Sequence, residues 1–158
     1  MKIAIASDKA GFLLKEAIVG YLGENGYTYE DYGTKDIEKP FTYFEIASKV
    51  APLVADKAYD RAILICGTGM GVSIVSNKFK DVYASCCESV YSAKMCRIIN
   101  DANILCLGGY IIGPEMGLQM VDAFLNAEFT QGLEKWRQDF LTNASQKVRE
   151  IENEIYKV

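Results

Sequence analysis

RAILICGTGMG, residues 61–71, joins a continuous apolar run to a turn that holds three glycines. The run is apolar on both faces from Ala62 to Cys66, which is typical of a central strand in a parallel sheet covered by helices. The glycines that follow let the backbone turn tightly and direct several N–H groups toward one point. The segment therefore predicts a buried strand whose carboxyl end carries an anion-binding loop.

Segments of strand and helix character alternate on both sides of this run. Short apolar runs predict strands at Lys2–Ser7, Tyr27–Tyr32, Arg61–Cys66, Val82–Cys87 and Asn103–Leu107. Helical periodicity predicts helices at 11–23, 43–57, 70–79 and 89–99, and another that starts at Gly113–Pro114. Short links between alternating elements predict a three-layer α/β/α sandwich around a five-stranded parallel sheet, formed by residues 1–158 as a single domain.

The end of the chain, residues 131–158, has a different character. Apolar residues recur there at three- and four-residue intervals, namely Leu133, Trp136, Phe140, Ala144, Val148, Ile151 and Ile155. This pattern predicts one amphipathic helix over 132–157, added to the α/β unit as a C-terminal arm. Two alternatives stay open: the arm covers a site or binds a partner, or it packs on its own domain.

Composition limits the classes of partner. The 158 residues are 50% hydrophobic and 24% charged, as in ordinary globular proteins. The net charge of −4, with no basic cluster, argues against nucleic acids and anionic membrane surfaces as partners. No apolar run approaches the ~18 residues of a membrane span, and Ile3–Ala6 is too short for a signal peptide. The sequence therefore predicts a cytoplasmic location.

The chain contains five cysteines and no histidine. An odd number of cysteines without an export signal indicates reduced thiols in the cytoplasm. Without histidine, the usual general base and the commonest metal ligand are both absent. No CxxC pair occurs either, so we predict no metal site. Any nucleophile or base must rely on another residue type.

The block from Cys66 to Gly71 carries the strongest chemical signal. Its amides can stabilise an anion or a developing oxyanion, and Cys66 stands at the rim of that site. Cys66 can equally be a small core residue, and we predict core positions for the other four cysteines, Cys86, Cys87, Cys96 and Cys106. Nucleotide-binding loops are disfavoured, because Val72 replaces the last glycine of GxGxxG and no GxxxxGK[ST] occurs.

Polar residues flank two other predicted strands. Asp8 and Lys9 follow the first strand, where a carboxylate could bind substrate hydroxyls and an ammonium could bind an anion. A helix N-cap with a solvated lysine explains the same pair. Asn100 and Asp101 precede the fifth strand, where a turn accounts for them equally well.

At these residues the sequence resembles the sugar-phosphate isomerases that include ribose-5-phosphate isomerase type B and the galactose-6-phosphate isomerase subunits. The resemblance covers the chain through about residue 151. It depends on the blocks Ser7–Gly11, Ile65–Ile74, Ser76–Lys78, Tyr91–Ala93 and Asn100–Asn103. It implies a Rossmann-like α/β/α sandwich that forms homodimers or dimers of dimers, with sites at the subunit interface and no metal or other cofactor.

The resemblance also implies the chemistry, which is aldose–ketose isomerisation through a cis-enediolate. Cys66 matches the thiolate base that moves the proton between C1 and C2. Thr68 and Asn100 match catalytic positions, Thr68 at a substrate hydroxyl and Asn100 at the oxyanion. The remaining matches are substrate contacts: Asp8 and Tyr43 at hydroxyls, and the amides of Gly67, Gly69, Met70 and Gly71 at the enediolate. Asn77 borders the loop and serves as support.

The sequence departs from the family at the groups that bind phosphate and open the sugar ring. Lys9 replaces a histidine after the first strand, and Ile99 replaces the histidine associated with ring opening. Tyr110 and Leu133 take positions where arginines bind phosphate. Arg137 remains on the tail helix, and Arg97 and Lys9 could substitute for the missing cations.

These departures bear on the substrate. We expect an isomerase of a small sugar phosphate, either a pentose 5-phosphate or a tetrose 4-phosphate. A tetrose 4-phosphate needs no ring opening, because the hydroxyl that would close a five-membered ring carries the phosphate. The sequence therefore favours the tetrose. The alternative function is a non-catalytic or divergent subunit of a hetero-oligomeric isomerase, such as galactose-6-phosphate isomerase.

Overall fold

A computed structural model describes residues 1–157. Strands and helices alternate along these residues, and a long helix follows the last strand. In chain order the elements are β1 (Lys2–Ser7), α1 (Phe12–Glu24), β2 (Thr28–Asp31), α2 (Tyr43–Ala55), β3 (Arg61–Cys66), α3 (Met70–Ser76), β4 (Ala84–Cys86), α4 (Val90–Asn100), β5 (Ile104–Gly108), α5 (Pro114–Leu125) and α6 (Lys135–Ile155).

The five strands form one parallel sheet in the order β2-β1-β3-β5-β4. The central strand β3 is buried along its whole length because helices cover both faces. One face packs against α1, α4 and α5 through residues such as Ile18 and Phe124. The other packs against α2 and α3 through residues such as Val50 and Val72. The predicted three-layer sandwich and its parallel sheet are confirmed.

Two asparagine side chains bind the backbone of the edge strand β4 and of the residue before it. Asn77 Oδ1 accepts the N–H of Ala84 at 2.9 Å, and its Nδ2 donates to the Ala84 carbonyl at 2.8 Å. Asn103 Oδ1 accepts the N–H of Tyr83 at 2.8 Å. The strand β4 has three residues instead of the predicted six. Asn77 connects the end of α3 to β4 through Ala84.

A buried lysine fixes the segment after β2. Lys15 is fully buried, and its Nζ donates to Asp31 Oδ2 at 2.6 Å and to the Thr34 carbonyl at 2.7 Å. Thr34 Oγ1 in turn accepts the N–H of Phe41 at 3.1 Å. Lys15 thus anchors the loop of residues 32–42. Part of this loop forms one wall of the cleft described below.

Replacing Lys15 by methionine is expected to destabilise the protein by about 2–3 kcal/mol, since Asp31 and the Thr34 carbonyl would lose a charged donor. Urea denaturation measures the change. Lys147 is a matched control because it is exposed and pairs only with Glu150 one turn away; Lys147→Met should change the stability by less than about 0.5 kcal/mol. Equal effects of the two substitutions would contradict the anchoring role.

The last helix leaves most of its apolar stripe exposed. Trp136, Phe140, Val148, Ile151 and Ile155 are all exposed in the single chain, whereas Leu141 is buried. The end of the chain is held to the domain by polar contacts instead. Glu152 accepts the Tyr83 hydroxyl at 2.8 Å and the Asp81 N–H at 2.9 Å, and Tyr156 donates to the Lys78 carbonyl at 2.7 Å. The helix is therefore docked on its own domain while its apolar stripe faces outward.

No helix within residues 1–157 is both long enough and apolar enough to cross a membrane.

Candidate active site

The carboxyl ends of the central strands bring the first group of predicted residues together. Cys66 ends β3 and is paired with Gly108 at the end of β5, while Ser7 ends β1 beside Ile65. Asp8 follows directly and donates its backbone N–H to the Ile65 carbonyl at 3.1 Å. Parallel strands place their carboxyl ends at one edge of a sheet, so Asp8, Cys66 and the glycine loop share that edge.

The Cys66 side chain is 5% exposed, and its sulfur lies under the glycine loop. The backbone N–H of Gly69 donates to Cys66 Sγ at 3.2 Å. Gly69 has a φ of 78°, and an added Cβ there would lie 2.9 Å from the Leu107 carbonyl carbon, so glycine is required. The required glycine therefore directs a backbone N–H at the Cys66 sulfur.

Asp8 and Lys9 follow β1 and lie beside the end of β3 at the same carboxyl edge of the sheet. Asp8 Oδ1 accepts the N–H of Gly11 at 3.0 Å. Burial raises the pKa of the Asp8 carboxyl above its usual value, against the N–H groups of Gly11 and Ala10, which lower it. Asp8 and Lys9 both line an open cleft of about 660 Å³. The same cleft is bordered by Ala10, Leu13, Ile37, Pro40, Phe41, Thr42, Tyr43, Phe44 and Tyr110.

Two aromatic rings join this cleft to the glycine loop. A Cβ added to Gly71 would lie 2.8 Å from the Tyr43 ring, and one added to Gly67 would lie 2.9 Å from the Tyr110 ring. The two rings therefore contact the loop backbone at its two ends. Tyr43 was predicted as a substrate contact. The sequence marked Tyr110 only as a replacement for a phosphate-binding arginine. The apolar residues Ile37, Pro40, Phe41 and Phe44 were not predicted, because no motif marks such a loop as part of a cleft.

Thr68, Met70 and the amides of the loop lie beside Cys66, as the sequence predicted. Thr68 Oγ1 accepts the Met70 N–H at 3.4 Å, a long contact that leaves the hydroxyl able to reach a ligand. Cys86 was predicted to be a core residue, and that prediction is wrong. It is exposed because β4 is a short edge strand, and its sulfur lies 3.6 Å from the Thr68 carbonyl.

Asn100 is not brought to Cys66 within one chain. It ends α4, just before β5 begins, and so lies toward the amino edge of the sheet, whereas Cys66 lies at the carboxyl edge. There it borders a small cavity of about 100 Å³ with Ile99, Leu141 and Val148 among the lining residues. Any joint action of Asn100 and Cys66 therefore requires two chains.

The two predicted arginines also lie away from Cys66. Arg97 is buried, and its Nη1 donates to Asp101 Oδ1 at 2.8 Å and to the Ala102 carbonyl at 2.7 Å. It caps the end of α4, so it does not replace a cation at the substrate cleft as the sequence had suggested. Arg137 is exposed on α6 and is not among the residues that line the cleft. Within the described residues, Lys9 is the one cationic side chain that lines it.

Residues 1–157 contain no cluster of three or more histidine, cysteine, aspartate or glutamate side chains arranged to hold a metal ion.

Comparison with known proteins gives one consistent family. The family model described as "Ribose/Galactose Isomerase" matches residues 3–141. The 4-deoxy-4-sulfo-D-erythrose isomerase of Clostridium sp. (strain MSTE9) is 54% identical over 157 residues, covering 99% of both chains. The D-erythrulose-4-phosphate isomerase of Pectobacterium atrosepticum is 38% identical and covers 84% of this chain and 87% of its own.

A solved structure agrees with these relatives. The ribose-5-phosphate isomerase B of Clostridium thermocellum superposes with a TM-score of 0.88 at 39% identity, covering 98% of this chain and 99% of the other. The match extends beyond the α/β unit to the C-terminal helix. With its cysteine and glycine loop at the carboxyl edge of the sheet, the chain belongs to the ribose/galactose isomerase family and is an aldose–ketose isomerase.

Proposed function

We propose that the protein interconverts an open-chain four-carbon aldose and its 2-ketose, with a sulfonate on the terminal carbon. The proposed aldose is 4-deoxy-4-sulfo-D-erythrose, the compound that appears in the name of the relative at 54% identity. The observation that carries the proposal is a complete Cys66 loop beside a cleft with one lysine, in a chain without histidine. D-erythrulose 4-phosphate is the second candidate substrate, supported by the relative at 38% identity.

The reaction uses Cys66 as the base. Its thiolate removes the proton from C2 of the aldose and returns it to C1 of the resulting enediolate, while the proton of the O2 hydroxyl passes to O1, which gives the ketose. The negative charge on the enediolate oxygens is stabilised by loop amides between Gly67 and Gly71. Asp8, Thr68 and Tyr43 bind the substrate hydroxyls. Lys9 binds the terminal anion at the mouth of the cleft.

The missing histidine supports an open-chain substrate. A pentose 5-phosphate is mostly cyclic, so its isomerase benefits from an acid–base group that opens the ring near neutral pH. A tetrose with a sulfonate on C4 has no C4 hydroxyl and cannot close a five-membered ring. Such a substrate makes a ring-opening residue unnecessary, so the family's histidine can be Ile99 here.

The charge of the cleft supports a sulfonate over a phosphate. A phosphate monoester carries a charge of about −1.5 to −2 at pH 7. A sulfonate carries a single negative charge at that pH. Lys9 is the one cation that lines the cleft in the described chain and can balance the charge of a sulfonate by itself, whereas a phosphate needs a second cation, such as Arg137 from a partner subunit.

We further propose that the active protein is a homodimer in which each site is completed by the partner. Asn100 and Arg137 would come from the partner subunit to the oxyanion and to the terminal anion. The exposed stripe of α6, from Trp136 to Ile155, supports this arrangement because association would bury it. Asn100 borders a cavity against the same helix, which it shares with Val148 of the exposed stripe.

Substrate comparison tests the proposed function. We expect kcat/KM for the four-carbon sulfonate, and to a lesser degree for D-erythrulose 4-phosphate, to exceed that for ribose 5-phosphate by at least about tenfold, since only the pentose is limited by ring opening. Ile99→His should raise turnover of ribose 5-phosphate and leave the tetroses nearly unchanged. A ratio of one or less would reject the open-chain proposal.

Isotope exchange separates the isomerase from a non-catalytic subunit. In D2O the isomerase should incorporate deuterium at C2 of the aldose or C1 of the ketose, because the Cys66 thiol exchanges its proton with solvent. A chain with no exchange on any four-, five- or six-carbon sugar with a terminal anion would have to be a non-catalytic subunit.

A further inference from the structure

The ring of Tyr110 has an unusual position relative to the catalytic loop. The backbone N–H of Gly109 donates to the Cys66 carbonyl at 2.8 Å, and that of Tyr110 donates to the Gly67 carbonyl at 3.0 Å. These two bonds tie the segment after β5 to the loop. The Tyr110 ring then lies against Gly67, since a Cβ on that glycine would be 2.9 Å from Cε2 of the ring.

The ring has little to do with the stability of the fold. Tyr110 is 79% exposed, and its hydroxyl makes no hydrogen bond within residues 1–157. It borders the cleft that also contains Asp8 and Lys9. Two hydrogen bonds hold the backbone of this segment on the loop, and the Tyr110 ring is exposed to the cleft. An exposed aromatic ring in such a position is suited to contact a ligand.

The same point of the loop is also approached from the Lys9 side. A Cβ on Gly67 would lie 3.7 Å from the Cβ of Ala10, the neighbour of Lys9. Tyr110 and Ala10 therefore both lie against Gly67, the residue that follows Cys66, and both line the cleft together with Lys9. In the proposed function, Cys66 fixes C1 and C2 of the sugar and Lys9 fixes the terminal anion. The space along that path then determines how many carbons fit between them.

On the basis of the proposed function, we infer that Tyr110 sets the length of the sugar chain. Its ring packs against the carbons between the enediolate and the anion, and it occupies the volume that a fifth carbon would need. Removal of the ring should admit the longer chain. The effect should be of the size that one extra carbon has in a shaped pocket, about 10–200-fold in kcat/KM.

The test uses two ketoses, 4-deoxy-4-sulfo-D-erythrulose and its homologue 5-deoxy-5-sulfo-D-ribulose. Neither ketose can close a five-membered ring through a C5 hydroxyl, because the four-carbon ketose has no C5 and the five-carbon ketose carries its sulfonate there. Ring opening therefore limits neither ketose, and the two differ by one CHOH unit. Tyr110→Ala should raise the ratio of kcat/KM for the five-carbon over the four-carbon ketose by about 10–100-fold. Tyr110→Phe should retain the wild-type ratio, because ring volume and not the hydroxyl is responsible.

Tyr91→Ala is the matched control. Tyr91 is also exposed, at the start of α4, but it does not line the cleft, so its replacement should leave the ratio at the wild-type value. An unchanged ratio in Tyr110→Ala, with the wild-type enzyme active on the four-carbon ketose, would overturn this inference alone. A wild-type enzyme that turns over neither ketose would overturn the proposed sulfonate substrate, and the inference with it.

Discussion

Cys66→Ala is expected to lower kcat by about 10²–10⁴-fold, the usual contribution of a positioned general base. The Cys66 sulfur is in contact with the loop, where Gly69 donates to Sγ at 3.2 Å. KM should change much less, because in the proposed site other side chains bind the substrate hydroxyls and the anion. Steady-state kinetics on the four-carbon ketose measure the split between kcat and KM. A loss below about tenfold would remove Cys66 from the role of base.

Two controls separate this chemistry from packing. Cys106 is a fully buried cysteine of the same sheet, and burial raises the pKa of its thiol well above the usual value. Cys106→Ala should therefore cost stability and leave kcat nearly unchanged. The melting temperature and far-UV circular dichroism of Cys66→Ala should stay close to wild type, since the substitution removes one small, nearly buried side chain.

Alkylation gives an independent readout of the same thiol. Cys86 is exposed and lies beside the loop, so iodoacetamide labelling is best done in a Cys86→Ser background. Burial raises the pKa of the Cys86 thiol, so it should react more slowly than its exposure suggests. In that background, loss of activity should parallel carboxamidomethylation of Cys66, and substrate should protect both. Inactivation with the label on another cysteine would contradict the assignment.

The sequence was sufficient for the sheet and for one half of the site. The predicted strand Arg61–Cys66 matches β3 residue for residue. A strand covered by helices on both faces forms an unbroken apolar run, so its bounds are easy to recognise in the sequence. The glycines after it have one physical explanation, a tight turn at a strand end. Cys66, Thr68 and Asp8 therefore come together as predicted, since parallel strands bring their carboxyl ends to a common edge.

Contacts between distant segments could not be predicted in the same way. The sequence predicts Arg97 as an anion ligand. In the folded chain its guanidinium instead caps α4 through Asp101 and the Ala102 carbonyl, and the sequence pattern does not show these contacts. The edge strand β4 is held by the side chains of Asn77 and Asn103, which lie outside it in the sequence. The periodicity of the tail predicted its helix but could not say which surface the apolar stripe would meet.

The position of Asn100 leads to the second large effect. Asn100→Ala should lower kcat by about 10²–10³-fold if its amide donates to the oxyanion, as removal of one such donor usually does. Asn100 and Cys66 lie toward opposite edges of the sheet within one chain, so this loss requires a partner subunit. If each site is shared between two subunits, heterodimers that combine the two substitutions test the arrangement more sharply than either single variant does.

Heterodimers isolated through two different affinity tags test the sharing directly. In the trans heterodimer, one subunit carries Cys66→Ala and the other Asn100→Ala. One of its sites then combines an intact Cys66 with an intact Asn100, and the dimer should retain about half of the wild-type activity. In the cis heterodimer, one subunit carries both substitutions beside a wild-type partner. Each of its sites lacks one of the two residues, so it should be nearly inactive.

The opposite pattern would show that each subunit completes its own site. A cis heterodimer with about half of the wild-type activity, and an inactive trans heterodimer, would place Asn100 outside the partner's site. A fully active monomer in light scattering would contradict the dimer itself. Arg137→Ala in place of Asn100→Ala extends the test to the terminal anion. If the arginine comes from the partner, the site with an intact Cys66 keeps its Arg137 in the trans heterodimer and shows the wild-type KM. In the cis heterodimer that site loses Arg137, so its KM should rise.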